Sequence, residues 1–372
     1  MIFVIILSAS LILQFISKII KNNKMSNIFD YLSISSMFFL SGLRYDVGRD
    51  FWGYYNNMAS QGYNVEVGAR YLINVVQYLK LDMQAFIFAL SFFTGLFLYL
   101  TIKYYDQNKK TRYISIILIF SLLFFNSLNI SRQILAASVF AYSTRFIVEK
   151  KIIRFILYVL LAASFHMTAV FLLAIYPISM LFIKLKNKRT LFNLTLLISI
   201  INMFVPFISN WIKWITLYIT SSIGKYNSYF DRIIGDDNYF STFNLIMAIL
   251  LLVLINLNNF KKNTVLDKDK YNIGMFIQFM AVLFILFNSI LNFSTLTMRF
   301  YYYFTIFVIL TIGSYKNLFY TTDRYINTIY KLTIGAFALI STTNSILGAI
   351  YNSMLNLYPF NIRIFDIIFA LK

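Results

Sequence analysis

Apolar residues run along almost the whole chain, at about 2–20, 28–43, 84–102, 113–129, 134–148, 155–165, 168–183, 190–208, 241–258, 271–291, 300–315, 326–350 and 361–371. Most of these runs are continuous, with no polar face recurring every three or four residues, and many approach the roughly 20 residues that cross a bilayer as helix. A helix that is apolar all round is buried in protein or in lipid. The pattern therefore predicts an all-α fold, a polytopic transmembrane helical bundle of about 11–13 membrane segments forming a single integral membrane domain over residues 1–372. The first run has no basic residues before it and no small-residue cleavage site, and basic residues follow it. It reads as a retained first span instead of a removed leader.

The polar interruptions set the topology. Basic clusters fall in every second connection: Lys18/Lys21/Lys24, Lys103/Lys109/Lys110/Arg112, Arg145/Lys150/Lys151/Arg154, Lys184/Lys186/Lys188/Arg189, Lys261/Lys262/Lys268/Lys270 and Lys316/Arg324/Lys331, with Lys372 at the end. Placing them all in the cytoplasm puts 23 of the 33 Lys and Arg residues inside, as the positive-inside rule prefers. The N-terminus is then outside and the C-terminus inside. Residues 155–183 lie between two clusters that both belong inside, too few for two full spans. They are expected to form a short or re-entrant helical hairpin broken at Ser164 to Thr168, where non-helical backbone at membrane depth must be buried in protein or line a wet cavity. Two long connections, at about 44–83 and 210–240, fall on the outer side, rich in Tyr, Trp, Asn and Gly.

Composition narrows the chemistry. The chain is 59% hydrophobic with a mean hydropathy of +0.70, more than a water-soluble core could hide. A net charge of +19 would point to nucleic acid in a soluble protein, but here it sits in the topology-setting clusters and implies no nucleic-acid partner. With no cysteine and one histidine, thiolate nucleophiles and His/Cys metal sites are excluded, and no metal or cofactor is expected. Catalysis must rest on carboxylates, arginines, hydroxyls or one imidazole.

On this topology Arg44, Asp46, Arg49, Asp50, Glu66, Arg132, His166 and Arg299 all lie at or near the outer face. Ionisable groups at membrane depth are costly and mark function by default; the structural alternative is that they anchor helices at the interface. In the stretch Arg44-Tyr-Asp-Val-Gly48-Arg-Asp50-Phe-Trp-Gly-Tyr54-Tyr55, glycines permit tight turns and the aromatic rings offer faces on which sugars stack. An aromatic belt at the headgroups accounts for the rings but not for two acids among them. Asn126-Ser-Leu-Asn129-Ile-Ser131-Arg132-Gln133 breaks one run and opens the next. Ser131 or Asn129 is expected to cap the new helix, whose first N–H groups and the Arg132 fork suit a phosphate. His166 has small neighbours, Ala162, Ala163, Ser164 and Ala169, and an imidazole suits proton transfer; a lone His is also commonly a buried hydrogen-bonding residue. Asp267-Lys-Asp269 fits the Asp-x-Asp of nucleotide-sugar transferases by chance alone, in a lysine-rich inner loop.

Together these residues resemble the EpsG family of bacterial exopolysaccharide proteins, itself similar to the Wzy polymerases of O-antigen and capsule assembly. The resemblance rests on Arg44-x3-Gly48-x-Asp50-x3-Tyr54, Glu66-Val-Gly68, Asn129-x2-Arg132-Gln133-x2-Ala136 and Phe165-His166-x2-Ala169, with Arg299, Tyr303 and Tyr358-Pro359-Phe360 as weaker C-terminal signatures. It covers most of residues 40 to 175, and the second half matches mainly in hydropathy.

The resemblance implies a multi-pass protein of the bacterial cytoplasmic (inner) membrane that polymerises surface polysaccharide at its outer face. Its substrate would be an oligosaccharide on undecaprenyl pyrophosphate, with the lipid bilayer as solvent and a flippase and chain-length regulator as protein partners. Arg44, Tyr54, Arg132, Gln133, Arg299 and Tyr303 are then expected to bind substrate, with Asp50, Glu66 or His166 as catalytic base. The competing readings are a flippase or permease for the same glycans and a membrane acyltransferase or glycan ligase. Topology is tested by single cysteines replacing Ser60, Ser228 and Asn187: a membrane-impermeant maleimide is expected to label the first two from outside and spare the third, and external labelling at 187 would overturn the hairpin.

Overall fold

A computed structural model describes residues 2–60, 65–106, 109, 112–222, 242–256, 265–291, 298–313, 324–351, 357 and 361–362. Apart from a two-residue antiparallel pairing, Arg44–Tyr45 (β1) with Asn361–Ile362 (β2), the regular structure is helical. The chain forms two compact units, one of Met1–Met180, Ile312–Asn317 and Lys331–Lys372, the other of Leu181–Thr311 and Leu318–Tyr330.

Six helical segments among the described residues are long and apolar enough to cross a membrane: Ile2–Ile19, Met83–Tyr105, Arg112–Asn129, Met167–Lys184, Asn272–Leu291 and Lys331–Tyr351. Ile152–Phe165 and Asn244–Asn256 are shorter apolar helices, and Lys188–Phe204 with Phe207–Ile215 forms a pair bent by 79°. The chain is thus a multi-pass helical membrane protein. The helix over Asn23–Gly42 is not among the six because five serines and Asp30 dilute its apolar run. The last apolar run, at 361–371, and the Tyr358-Pro359-Phe360 motif lie outside the described residues save for β2, as does the 210–240 connection beyond Ser222.

In the first unit α1 (Ile2–Ile19) packs along α2 (Asn23–Gly42), and α2 along Met83–Tyr105. The buried positions of α1, Phe3, Ile6, Ser10, Gln14 and Ser17, recur every three or four residues and mark one contact face. Lipid tails give helices no hydrophobic reason to associate, so small residues and polar contacts hold such seams. Here Ser17 Oγ donates to Ser26 O at 2.8 Å, Ser26 Oγ returns to Ser17 O at 2.6 Å, and Ser10 and Ser36 hydroxyls meet at 2.9 Å. Each hydroxyl lets backbones approach while satisfying itself.

Deeper in the same seam the Asp30 carboxylate takes the Arg112 guanidinium, which also donates to Asp106 O; both side chains are buried. Arg112 opens the helix Arg112–Ile119, so the pair ties the 106–112 connection to α2. Lys109 adds bonds to Ser26 Oγ at 2.7 Å and Asn27 Oδ1 at 2.9 Å.

Two features were invisible in the apolar pattern. The predicted outer loop at 44–83 is largely helical, with α3 (Phe51–Ala59) and α4 (Val67–Tyr78) between the flanking helices. A widened π-turn, Phe120–Phe124, interrupts the span Arg112–Asn129. Such turns loosen the i→i−4 ladder and cluster at functional sites. Here Asn126 Nδ2 donates to Leu122 O at 2.8 Å, and Ser345 Oγ, from the C-terminal helix, donates to Ser121 O at 2.8 Å.

In the second unit the bend at Val205–Pro206 is stabilised by Asn202. Its Oδ1 accepts from Ile208 N at 3.0 Å, capping the next helix, while Nδ2 donates to Ser209 Oγ at 2.7 Å and Ser289 O at 2.8 Å. A broken helix in lipid requires this kind of substitute partner.

The Asp30–Arg112 pair makes a stability prediction. Arg112→Met leaves a buried carboxylate unpaired and should cost about 3–5 kcal/mol, read as a lower unfolding midpoint in detergent. Adding Asp30→Leu should restore most of it, because the charge then has no counterpart to lose.

Candidate functional site

The site is built around the short break between the helices Phe125–Asn129 (α7, following Arg112–Ile119 as α6 and Met83–Tyr105 as α5) and Ser131–Ser143 (α8, followed by the short Arg145–Val148, α9). Three other segments close on it.

The first is the turn from Arg44 to Asp50. Asp46 and Gly48 adopt positive φ, 52° and 94°, and a Cβ on Gly48 would lie 2.1 Å from Leu128 O. Only glycine allows the turn to press against the end of α7. Arg49 N–H then donates to Asn129 Oδ1 at 2.6 Å, Tyr54 OH to Asn129 O at 3.3 Å, and Trp52 Nε1 to Asp46 Oδ1 at 2.5 Å.

Inside this turn the Arg44 guanidinium is fully buried. Its Nε donates to Val47 O at 3.2 Å, Nη1 to Ser41 O at 2.7 Å and Nη2 to Ser131 Oγ at 2.8 Å, while Ser131 Oγ donates to Ser127 O at 2.6 Å. Burial lowers its pKa to about 10, with Tyr54 and Asp50 pulling the other way, so it is charged at neutral pH. Gln84 Nε2 secures the same corner by donating to Gly42 O at 2.5 Å and Arg44 O at 2.9 Å. Arg44, expected to bind substrate, is instead a brace, because its donors are already engaged by protein oxygens away from solvent.

The second segment is α4, whose first residue follows Glu66. Glu66 has the extended backbone of an N-cap (φ −63°, ψ 155°), yet its side chain does not cap its own helix. Oε2 takes the Arg132 guanidinium from the first turn of α8, and Oε1 accepts Met167 N–H at 3.4 Å. The third segment is the end of α10 (Ile152–Phe165), where His166 is extended (φ −152°, ψ 110°) before the 3-10 turn Met167–Ala174 and the helix Ile175–Lys184, α11. The predicted break at Ser164 to Thr168 is where the helix stops. A Cβ on Gly68 would lie 2.3 Å from Ser164 Oγ and 2.8 Å from Ser164 O, so glycine again permits the approach that lets Glu66 reach both partners. His166 Nδ1 and Thr168 Oγ1 are 2.7 Å apart, on a half-exposed ring.

Glu66, Arg132 and the His166–Met167 step are therefore brought together from three separate places in the chain. Asp50 is half-buried at the start of α3, close enough to Arg44 to stabilise its charge, and its carboxylate accepts no hydrogen bond among the described residues. Tyr54 and Gln133, expected at the substrate, are both buried, Tyr54 on Asn129 and against Phe86 at 5.9 Å. Neither Asn129 nor Ser131 caps α8, where Ile130 holds the N-cap position; Asn129 clamps the 44–50 turn and Ser131 holds Arg44. Arg299 and Tyr303 belong to the second unit, on the 3-10 turn Met298–Tyr303. Arg299 is exposed, whereas Tyr303 is fully buried with its ring 5.7 Å from Phe300. No three His, Asp or Glu side chains among the described residues gather as metal ligands do.

A multi-pass helical membrane protein that assembles arginines and carboxylates at helix breaks is the class the fold and site define. The EpsG family model matches residues 27–361, nearly the whole chain, and the protein belongs to that family. It is thereby a membrane protein of polysaccharide biosynthesis. No curated protein and no solved structure matches it.

Glycine substitutions test this construction. Gly48→Ala and Gly68→Ala should each cost at least about 1 kcal/mol of stability and most activity, since the new methyl meets backbone in one case and Ser164 in the other. Gly53→Ala, on α3 with open space around it, should leave the unfolding midpoint unchanged or raised.

Proposed function

We propose that this protein polymerises lipid-linked oligosaccharide at the outer face of the bacterial cytoplasmic membrane, moving glycan from undecaprenyl pyrophosphate to a sugar hydroxyl of the next repeat unit. The observation that carries the reading is the convergence of Arg132, Glu66 and the His166 turn on one seam, within a chain of this family.

In the reaction the bond between the sugar's anomeric carbon and the pyrophosphate oxygen breaks, and one from that carbon to the acceptor oxygen forms. The hydroxyl proton passes to a base, and the pyrophosphate leaves with the bonding electrons. The leaving group is already activated, so the protein's work is to neutralise its charge and orient the acceptor. Arg132 supplies a planar fork for phosphate oxygens. His166, Glu66 and Asp50 are the available bases, and an imidazole is the side chain suited by type to proton transfer near neutral pH. The Arg44 brace acts at one remove by fixing Ser131, the residue before Arg132.

Replacing Arg132 with Ala should abolish polymer, leaving protein level and single-repeat lipid intermediates intact on a gel of surface glycan. Arg132→Lys keeps the charge and loses the fork, and should resemble Ala. A normal ladder from both variants would remove Arg132 from the phosphate role, and absence of outer lipid-linked units on deletion of the gene would indicate a flippase instead.

A further inference from the structure

Glu66 stands where a capping side chain would sit, but its carboxylate is directed across two other segments. One oxygen is held by Arg132 and the other by the Met167 N–H, the first of the turn that follows the broken α10. A guanidinium and a backbone N–H converging on two oxygens of one anion is the arrangement that also receives phosphoryl oxygens. Arg132 and Glu66 are each 24% exposed, so the pair lies within reach of an incoming ligand. A pair that keeps this much contact with solvent is partly screened, unlike a sealed one. A pyrophosphate, with more than one negative charge and more acceptor oxygens than a carboxylate, competes well for the same donors.

The surroundings indicate what kind of anion. Val67 and Tyr71, one turn apart on α4, and Met167 and Phe171, on the 3-10 segment, are all strongly exposed. Val67 follows Glu66 directly and Met167 carries the N–H that Glu66 accepts, so a polar head placed on Arg132 would have apolar side chains beside it for a hydrocarbon tail. A free phosphate has no use for that strip.

We propose that Glu66 is an internal anion that occupies Arg132 and the Met167 N–H until the pyrophosphate of a prenyl-linked substrate displaces it. Displacement frees the Glu66 carboxylate next to His166, so this base becomes available only when substrate is present. This rests on the phosphate role of Arg132 proposed above.

The test is equilibrium binding of farnesyl pyrophosphate and of inorganic pyrophosphate to the purified full-length protein in detergent. Glu66→Gln removes the competing charge and should tighten binding of both by about five- to tenfold. Glu66→Asp, too short to hold both donors, should fall between Gln and wild type, and melting curves check that each variant is folded. In an Arg132→Ala background the Gln substitution should have no effect. Farnesyl pyrophosphate should bind more tightly than inorganic pyrophosphate, and Met167→Ser, which keeps the backbone N–H and removes the apolar side chain, should weaken the former alone. Unchanged or weaker binding by a folded Glu66→Gln variant, with Arg132→Ala still losing affinity, would overturn the displacement and leave the phosphate role standing. Undiminished binding by Arg132→Ala would overturn the phosphate role itself. Equal affinity for the two ligands would show that the apolar strip takes no tail.

Discussion

The buried Arg44 guanidinium is the constraint on which the site depends. A charged group out of water is tolerated only when its donors are met, and meeting them dictates where three pieces of chain go. Val47 O must curl back toward it, Ser41 must present the last turn of α2, and Ser131 must bring the start of α8. Once Ser131 is fixed, Arg132 points from the next position of the same helical turn. The positive φ of Asp46 and Gly48 follows from the same demand, since the chain has to reverse within a few residues to offer Val47 O while leaving room for Leu128 O.

The rest of the first unit obeys the rule in milder form. Ser10, Ser17, Ser26 and Ser33 on α1 and α2 give their hydroxyls to carbonyls, Asp30 is matched by Arg112, and the irregular backbone around the π-turn is met by Asn126 and Ser345. In a bilayer the unsatisfied alternative is expensive because no water can substitute. Polar groups therefore appear in pairs at helix breaks and seams, and the groups proposed to act on substrate occupy the same kind of place. What distinguishes Glu66 and Arg132 from Asp30 and Arg112 is exposure: the first pair is partly open to solvent, the second is sealed.

That contrast separates architecture from chemistry in a chain with few acids. Arg44, Arg112 and Asp30 hold the fold; Arg132, Glu66 and His166 remain at least partly exposed where three segments meet, as does Asp50 near Arg44. Stability and turnover should accordingly respond to different residues, with Gly48 and Gly68 affecting both because they set the distance between the two sets.

By itself the sequence determined the class of fold, the family and the places where helices break, because bilayer thickness and the scarcity of charge in lipid leave their marks directly in composition and spacing. The break at Ser164 to Thr168 and the turn at Asn126 to Arg132 were legible for that reason, as were Arg132, Glu66 and His166 as residues out of place among apolar neighbours. Which of these charges are sealed inside and which stay partly exposed was not legible. Arg44 and Arg132 look alike in the chain, each an arginine at the edge of an apolar run, and only the fold sends one inward to Ser41, Val47 and Ser131 and the other to an exposed carboxylate. Helical structure within 44–83 and the π-turn were equally hidden, since both are fixed by packing and by hydrogen-bond partners distant in sequence. The pairing of Glu66 with Arg132 spans 66 residues, and no local pattern specifies a contact whose geometry is set by two glycines pressed against other segments.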